Sequence, residues 1–251
     1  MKGQFLTDKG QIRNHNEDSG GVFYNQENQM LAIVADGMGG HQAGDVASQI
    51  AASVIQKKWQ ECKLLSSPEE AEIWLSATVK EINNTIFEQA NTKEECQGMG
   101  TTAVIAICTD DFATVSHVGD SRCYILNEGG FKQLTDDHSL VNELVRSGQI
   151  SKDDADQHPR KNVLLKALGT ETNITADTIS IGWEYGNKLL LCSDGLTNKV
   201  TDDELSQYTQ MEQDIKTSGE EMIQLANERG GEDNISLVII HHDLTEKEGE
   251  S

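Results

Sequence analysis

Six short apolar runs bounded by Gly, Asp or Asn punctuate the chain, at residues 30–35, 102–109, 112–118, 122–126, 188–192 and 235–241. They are rich in Val, Ile, Leu and Ala and too short for helices, so they predict buried strands. Only Asp110-Asp111 separates the second run from the third, which predicts a hairpin and hence antiparallel pairing. Two longer segments carry a helical period instead. Residues 44–59 place Val46, Ile50 and Val54 beside Ala47, Ala51 and Ile55 on one face. Residues 68–90 follow Ser67 as N-cap, with Pro68 in the first turn, Glu70 completing a capping box, and Trp74, Val79, Ile82 and Ile86 as apolar positions. A short helix is expected at 140–146, stopping near Gly148. Thr201 with Glu204 and Ser218 with Glu221 spell two further capping boxes, and the last helix ends at Gly230-Gly231.

Strands and helices come in clusters, not in strict alternation. This predicts an α+β fold, a central β-sandwich of two antiparallel sheets flanked by helices on both sides in αββα layers. A single domain is expected over 1–242, with an acidic, solvated tail at 243–251. Within it, the polar, strand-poor stretch 147–162 holds Asp153, Asp154, Asp156 and His158-Pro159, and predicts a surface flap at about 136–165.

Composition narrows the class. Hydrophobic residues make up 36% of the 251 residues and charged ones 25%, with two prolines, as in a folded soluble domain. No run approaches the roughly 20 apolar residues that span a bilayer, and residues 1–7 lack the pattern of a signal peptide. A cytoplasmic location without membrane insertion is therefore expected. Cys62, Cys96, Cys108, Cys123 and Cys192 show no CxxC spacing and read as free thiols. The formal charge of −22 repels phosphate backbones, so nucleic acid is not an expected partner.

A converging subset of the carboxylates would instead attract cations. Asp36 leaves an apolar run into Gly37-Met38-Gly39-Gly40, Asp194-Gly195 follows another, Asp120 follows a third through Gly119, and Asp233-Asn234 precedes the last. Any one strand-end Asp is usually a turn residue. Their recurrence fits a site for a hard divalent ion, which prefers carboxylate and carbonyl oxygens, and the spacing leaves both readings open. Arg13, just before Asn16-Glu17-Asp18, reads alone as a surface ion-pair residue. Beside a metal cluster its planar fork would clamp phosphate, with Glu17 and Asp18 accepting hydrogen bonds from the ions' waters.

At these residues the sequence resembles the metal-dependent protein phosphatases of type 2C, and most of all their compact bacterial members. The resemblance runs in order through residues 8–18 (DKGQIRNHNED), 34–41 (VADGMGGH), 100–103 (GTTA), 118–122 (VGDSR), 135–141 (TDDHSLV), 193–196 (SDGL) and 230–236 (GGEDNIS), and so covers essentially the whole chain. It implies hydrolysis of phosphoserine and phosphothreonine in proteins by a bridging water at a binuclear Mn²⁺ or Mg²⁺ centre. Asp36 would bridge two ions, the Gly37 carbonyl would join it on one, and Asp194 and Asp233 would hold the other. Asp120 with Asp194 matches a third, weaker ion site. Arg13 matches the phosphate-binding arginine, and Glu17 and Asp18 the acids around it. The partners implied are phosphoprotein substrates and an opposing membrane serine/threonine kinase with its targets, met as a monomer.

The sequence departs from many eukaryotic relatives at Met38, where they carry His. A thioether cannot donate a proton, which leaves a metal-bound water or His41 as the general acid, with a structural role favoured for His41. Arg122 and Ser121 read as braces of the Asp120 turn, and Thr101 and Thr102 as packing residues. Asn234 either orients Asp233 or simply forms a turn. Rival chemistries lack their residues: no cysteine has Arg six positions later, the pair Asp154 and Asp156 follows no apolar strand, and no GxxxxGK[ST] loop is present. An idle metal- or phosphoprotein-binding module of the same fold is the alternative, against which the intact ligand set argues.

Overall fold

The computed structural model describes residues 1–39 and 43–243, apart from the side chains of Asp153 and Asp156. In chain order the strands are β1 (Lys2–Asp8), β2 (Asp18–Tyr24), β3 (Met30–Met38), β4 (Gly100–Thr101), β5 (Ala103–Cys108), β6 (Phe112–Val118), β7 (Arg122–Asn127), β8 (Gly130–Gln133), β9 (Asp177–Gly182), β10 (Lys188–Cys192) and β11 (Ile235–His241). The helices are α1 (Ala43–Gln60), α2 (Pro68–Thr92), α3 (Leu140–Arg146), α4 (Lys152–Asp156), α5 (Asp194–Thr197), α6 (Asp202–Gln210) and α7 (Ile215–Glu228).

One sheet runs β1-β11-β10-β7-β8 and the other β2-β3-β5-β6-β9, with β4 on the end of β3. Every pairing is antiparallel. Three apolar layers hold the sheets and helices together. Met30, Ala32, Val34, Val104, Leu189 and Val238 fill the space between the sheets. Leu31, Ile33, Ala47, Ile55, Leu75 and Ile86 join the second sheet to α1 and α2. Leu190, Leu196, Leu205, Met222 and Leu237 join the first to α5, α6 and α7. The αββα architecture expected from the sequence follows from these layers.

All six apolar runs are strands, and all are interior. The pattern missed β1, β2, β8 and β9, which are the four sheet edges. The run expected at 102–109 forms β5, shorter by one residue at each end, and Thr102, which separates β5 from the two-residue β4, turns its side chain to the site described below. Alternate β3 residues serve different layers, yet both sets are apolar. Hydrophobic alternation therefore cannot fix its register alone; a one-residue slip would instead drag Asp36 toward the core.

At α2, Ser67 caps the helix by accepting from Glu70 N at 3.3 Å, while the Glu70 carboxylate reaches back to Ser66 N rather than to Ser67 N. The Thr201–Glu204 box forms at α6. The Ser218–Glu221 box does not: α7 begins four residues earlier, capped by Asp214, and Ser218 is buried inside it. Ser151 and Asp154 form a box that the sequence reading passed over and cap the short α4 within the 136–165 segment. All five cysteines are free and buried, and burial pushes Cys192 up to about 12, so that thiol stays protonated. No described helix is long and apolar enough to cross a membrane. His41 and residues 244–251 of the expected tail lie outside the described residues.

Candidate metal centre

Asp36 emerges from β3 into a backbone clamp. Its N–H donates to Thr102 Oγ1 at 3.0 Å, and its carbonyl accepts from Thr102 N and Thr101 Oγ1, both at 2.9 Å. The Thr102 hydroxyl also meets Ser121 Oγ at 2.7 Å. Thr101 and Thr102 were expected only to pack; they lock Asp36 through hydrogen bonds spanning more than sixty residues of sequence. Beside it, Gly37 N donates to the Glu17 carbonyl at 3.1 Å. A Cβ at Gly37 would collide with the Gly44 carbonyl, so glycine is what lets the start of α1 close over this turn.

A second close approach joins the Asp194 and Asp233 turns. Ser193 N donates to Ser236 O and Ser236 N to Ser193 Oγ, each at 3.0 Å. A Cβ at Gly195 would strike the Asn234 carbonyl, so Asp194-Gly195 and Asp233-Asn234 can lie back to back only with glycine there. Asn234 does more than either expectation. Its side-chain oxygen accepts from Glu17 N at 2.8 Å, and its amide donates to Lys9 O and His15 O at 2.8 and 2.9 Å. It thereby fastens the loop carrying Arg13 onto the Asp233 turn.

In that loop Arg13 donates to Asp233 Oδ2 at 2.8 Å and lies 3.7 Å from Glu17 Oε2, with its side chain 46% exposed. Its head is therefore at the site and open to solvent. Asp18 stands opposite Asp36 in the β2–β3 register. It is only 7% exposed; Ser193 Oγ donates to its Oδ2 at 2.9 Å, and its buried Oδ1 has no partner.

These acids repel one another in a partly dry site. Burial, then the charges of Asp18, Asp194, Asp120 and Asp233, push Asp36 well above the carboxylate range. Burial and the Asp233 charge raise Asp194, which is within hydrogen-bonding reach of Asp36. Burial pushes Asp18 up to about 7, helped by Asp194 and Asp233. Asp120 rises to about 7 through burial, then Asp194 and Asp137. Glu17 is raised by burial against the pull of Arg13.

Among the described residues no three such side chains already form a finished metal cage. Three of the carboxylates meet a neighbouring donor instead: Asp233 meets Arg13, Asp194 meets Asn198 at 3.0 Å, and Asp18 meets Ser193. The donor set nonetheless fits a hard divalent ion, because it gathers oxygens whose mutual repulsion only positive charge relieves, including an orphaned one on Asp18.

Asp120 and Asp194 line a cleft of about 690 Å³ beside the 136–165 segment. Arg122 bounds it, as more than a brace. Its guanidinium grips Asp137 with Nε–Oδ1 at 2.9 Å and Nη2–Oδ2 at 2.7 Å, and donates to Tyr124 Oη at 3.2 Å. The Tyr124 hydroxyl in turn reaches Asp202 at 2.9 Å. The sequence reading passed over Ser193, Asn198 and Asp137; only the presence of the first and last within recurring motifs hinted at a role.

The protein phosphatase 2C family model matches residues 10–238. The chain is 47% identical to the serine/threonine phosphatase stp of Listeria monocytogenes over 98% of both chains. Its structure is similar to that of the serine/threonine phosphatase Stp1 of Staphylococcus aureus, with a TM-score of 0.90 and 39% identity over 95% of this chain and 93% of that one. It is also similar, at 0.83 and 30% identity over 95% and 96%, to the catalytic domain of the phosphatase PstP, solved with two manganese ions.

Proposed function

The chain belongs to the protein phosphatase 2C family and is a protein serine/threonine phosphatase; on that premise we propose that it hydrolyses phosphoserine and phosphothreonine at a binuclear Mn²⁺ or Mg²⁺ centre. Asp36, the Gly37 carbonyl, Asp194 and Asp233 would hold the two ions, and Asp120 with Asp194 would hold a third more weakly. The observation that carries this reading is the set of mutually repelling carboxylates around Asp36, including groups from β2, the β6–β7 turn, α5 and the start of β11. The two manganese ions of the similar PstP structure support it.

Bound there, divalent ions supply Lewis acidity and lower the pKa of water toward neutrality. The chain's own residues do the rest. Arg13 is half-exposed and already charge-paired with Asp233, so it exchanges that partner for the oxygens of an incoming phosphate. Glu17 and Asp18 accept hydrogen bonds from water around the ions and keep it oriented. The general acid is not Met38, whose thioether carries no proton.

The partner set we propose is phosphoprotein substrates and an opposing membrane serine/threonine kinase, met in the cytoplasm by a monomer whose 136–165 segment acts as a flap. The test is hydrolysis of a phosphothreonine peptide with Mn²⁺ and with excess chelator. Turnover should require the ion and fall at least about 100-fold in Asp36→Asn and Asp194→Asn. Undiminished turnover in chelator overturns the metal reading. Peptide binding without any turnover would favour the idle module.

A further inference from the structure

His138 sits where three parts of the molecule meet, and none of the roles given above uses it. Its Nδ1 accepts from Gly119 N at 3.1 Å, while its own N–H donates to Gly119 O at 2.9 Å. Side chain and backbone together thus zip it to the residue before Asp120. Its carbonyl accepts from Leu165 N at 2.7 Å, and the next residue, Ser139, bridges to Leu164. The two roots of the 136–165 segment therefore close on this residue.

The ring itself is enclosed. It stacks on His117 with centroids 4.5 Å apart and an 18° tilt, and the His117 Nε2 contacts the Asp136 carbonyl at 2.9 Å. The other nitrogen, Nε2, is buried and lies 3.4 Å from Asp177 Oδ1, beyond a good hydrogen bond; Lys166 holds the same carboxylate at 3.2 Å. Because Nδ1 accepts from an amide, the proton must be on Nε2. Gly119 is also packed closely against Thr102. It lies at φ +105°, and a Cβ there would come within 2.6 Å of Thr102 Cγ2. Thr102 is the residue that clamps Asp36.

We propose that His138 is a positioning residue: its Nδ1 acceptor fixes the Gly119–Asp120 turn, and so aims the Asp120 carboxylate, while its backbone ties that turn to both roots of the 136–165 segment. The proposal rests on the reading of Asp120 as ligand of the weak third ion. What separates it from mere packing is that one acceptor atom, not the ring's bulk, does the work. In Asn the amide oxygen falls where Nδ1 lies; in Gln it falls near Nε2.

The experiment compares full-length wild type, His138→Asn and His138→Gln. It reads hydrogen exchange of the Gly119 amide and Mn²⁺ binding by calorimetry. His138→Asn is expected to keep Gly119 protected and the weak Mn²⁺ within about threefold of wild type. His138→Gln is expected to lose that protection and weaken the third ion about 10-fold or more, leaving the two tight ions unchanged. Equal Gly119 protection in both variants overturns the proposal. So does an equal loss of tight and weak ions in both, which would mean that the ring only fills space. A wild type that binds just two ions would refute Asp120 as a ligand, and Gly119 exchange alone would then decide for or against the clasp.

Discussion

Removing the charge of Asp18 should make the ion-free protein relatively more stable as pH rises, a reversal of what losing a site residue usually does. Asp18 is 7% exposed, and its carboxyl is moved from an ordinary value of 3.8 to about 7. Below 3.8 both the folded and unfolded chains hold the proton. Between that and about 7 only the folded chain does, so its stability falls as pH rises through this window and then levels off. At about 1.4 kcal/mol per unit, the fall is about 4 kcal/mol at most, a large part of a domain's stability. The neighbouring acids titrate with it, so the fall belongs to the cluster.

The assay is urea unfolding of wild type and Asp18→Asn in chelator from about pH 4 to about pH 8. His138, His241 and His242, each held below the usual value chiefly by burial, push stability the opposite way as pH rises. Both chains share them, so the difference between the two curves cancels their effect. The amide adds a pH-independent cost of about 1–3 kcal/mol for an unsatisfied buried donor beside the orphaned Oδ1 position. On top of that offset, the variant should gain steadily on wild type, by up to about 4 kcal/mol by pH 7.5. Saturating Mn²⁺ should shrink the gain, since an ion at 100 times its Kd stabilises wild type by about 2.7 kcal/mol. A difference that stays flat with pH in chelator would refute the reasoning.

Thr102→Val leaves the Asp36 N–H without its acceptor and should cost about 1–3 kcal/mol in urea unfolding, with weaker Mn²⁺ binding by calorimetry. Gly195→Ala drives a methyl into the Asn234 carbonyl and should lower Mn²⁺ affinity at least about 10-fold, whereas Gly148→Ala, with open space around it, should leave the ions alone. Arg13→Ala should raise KM for a phosphopeptide with Mn²⁺ binding kept; loss of ions instead would make Arg13 a structural partner of Asp233. The buried thiols should react with an aromatic disulfide reagent only at the rate of global unfolding, and fast labelling of the native chain would show an opening that this fold lacks.

The apolar pattern alone determined the middle of both sheets. β3, β5, β6, β7, β10 and β11 are each paired on both sides, and with helices or a second sheet over their faces they must be apolar almost throughout. β1, β2, β8 and β9 are edges with one neighbour and half-exposed faces. Their sequences carry no continuous run, and tertiary pairing alone made them strands. The same division holds at the site. Asp36, Asp120, Asp194 and Asp233 announce themselves because an aspartate at the end of an apolar run, beside a glycine or asparagine, is a local pattern. What assembles the site around them is not local: Thr102 on Asp36, Asn234 on Glu17 and Ser193 on Asp18 join residues 66, 217 and 175 positions apart. Hydrogen bonds of such reach leave no periodicity along a chain, so only the closed sandwich decides them.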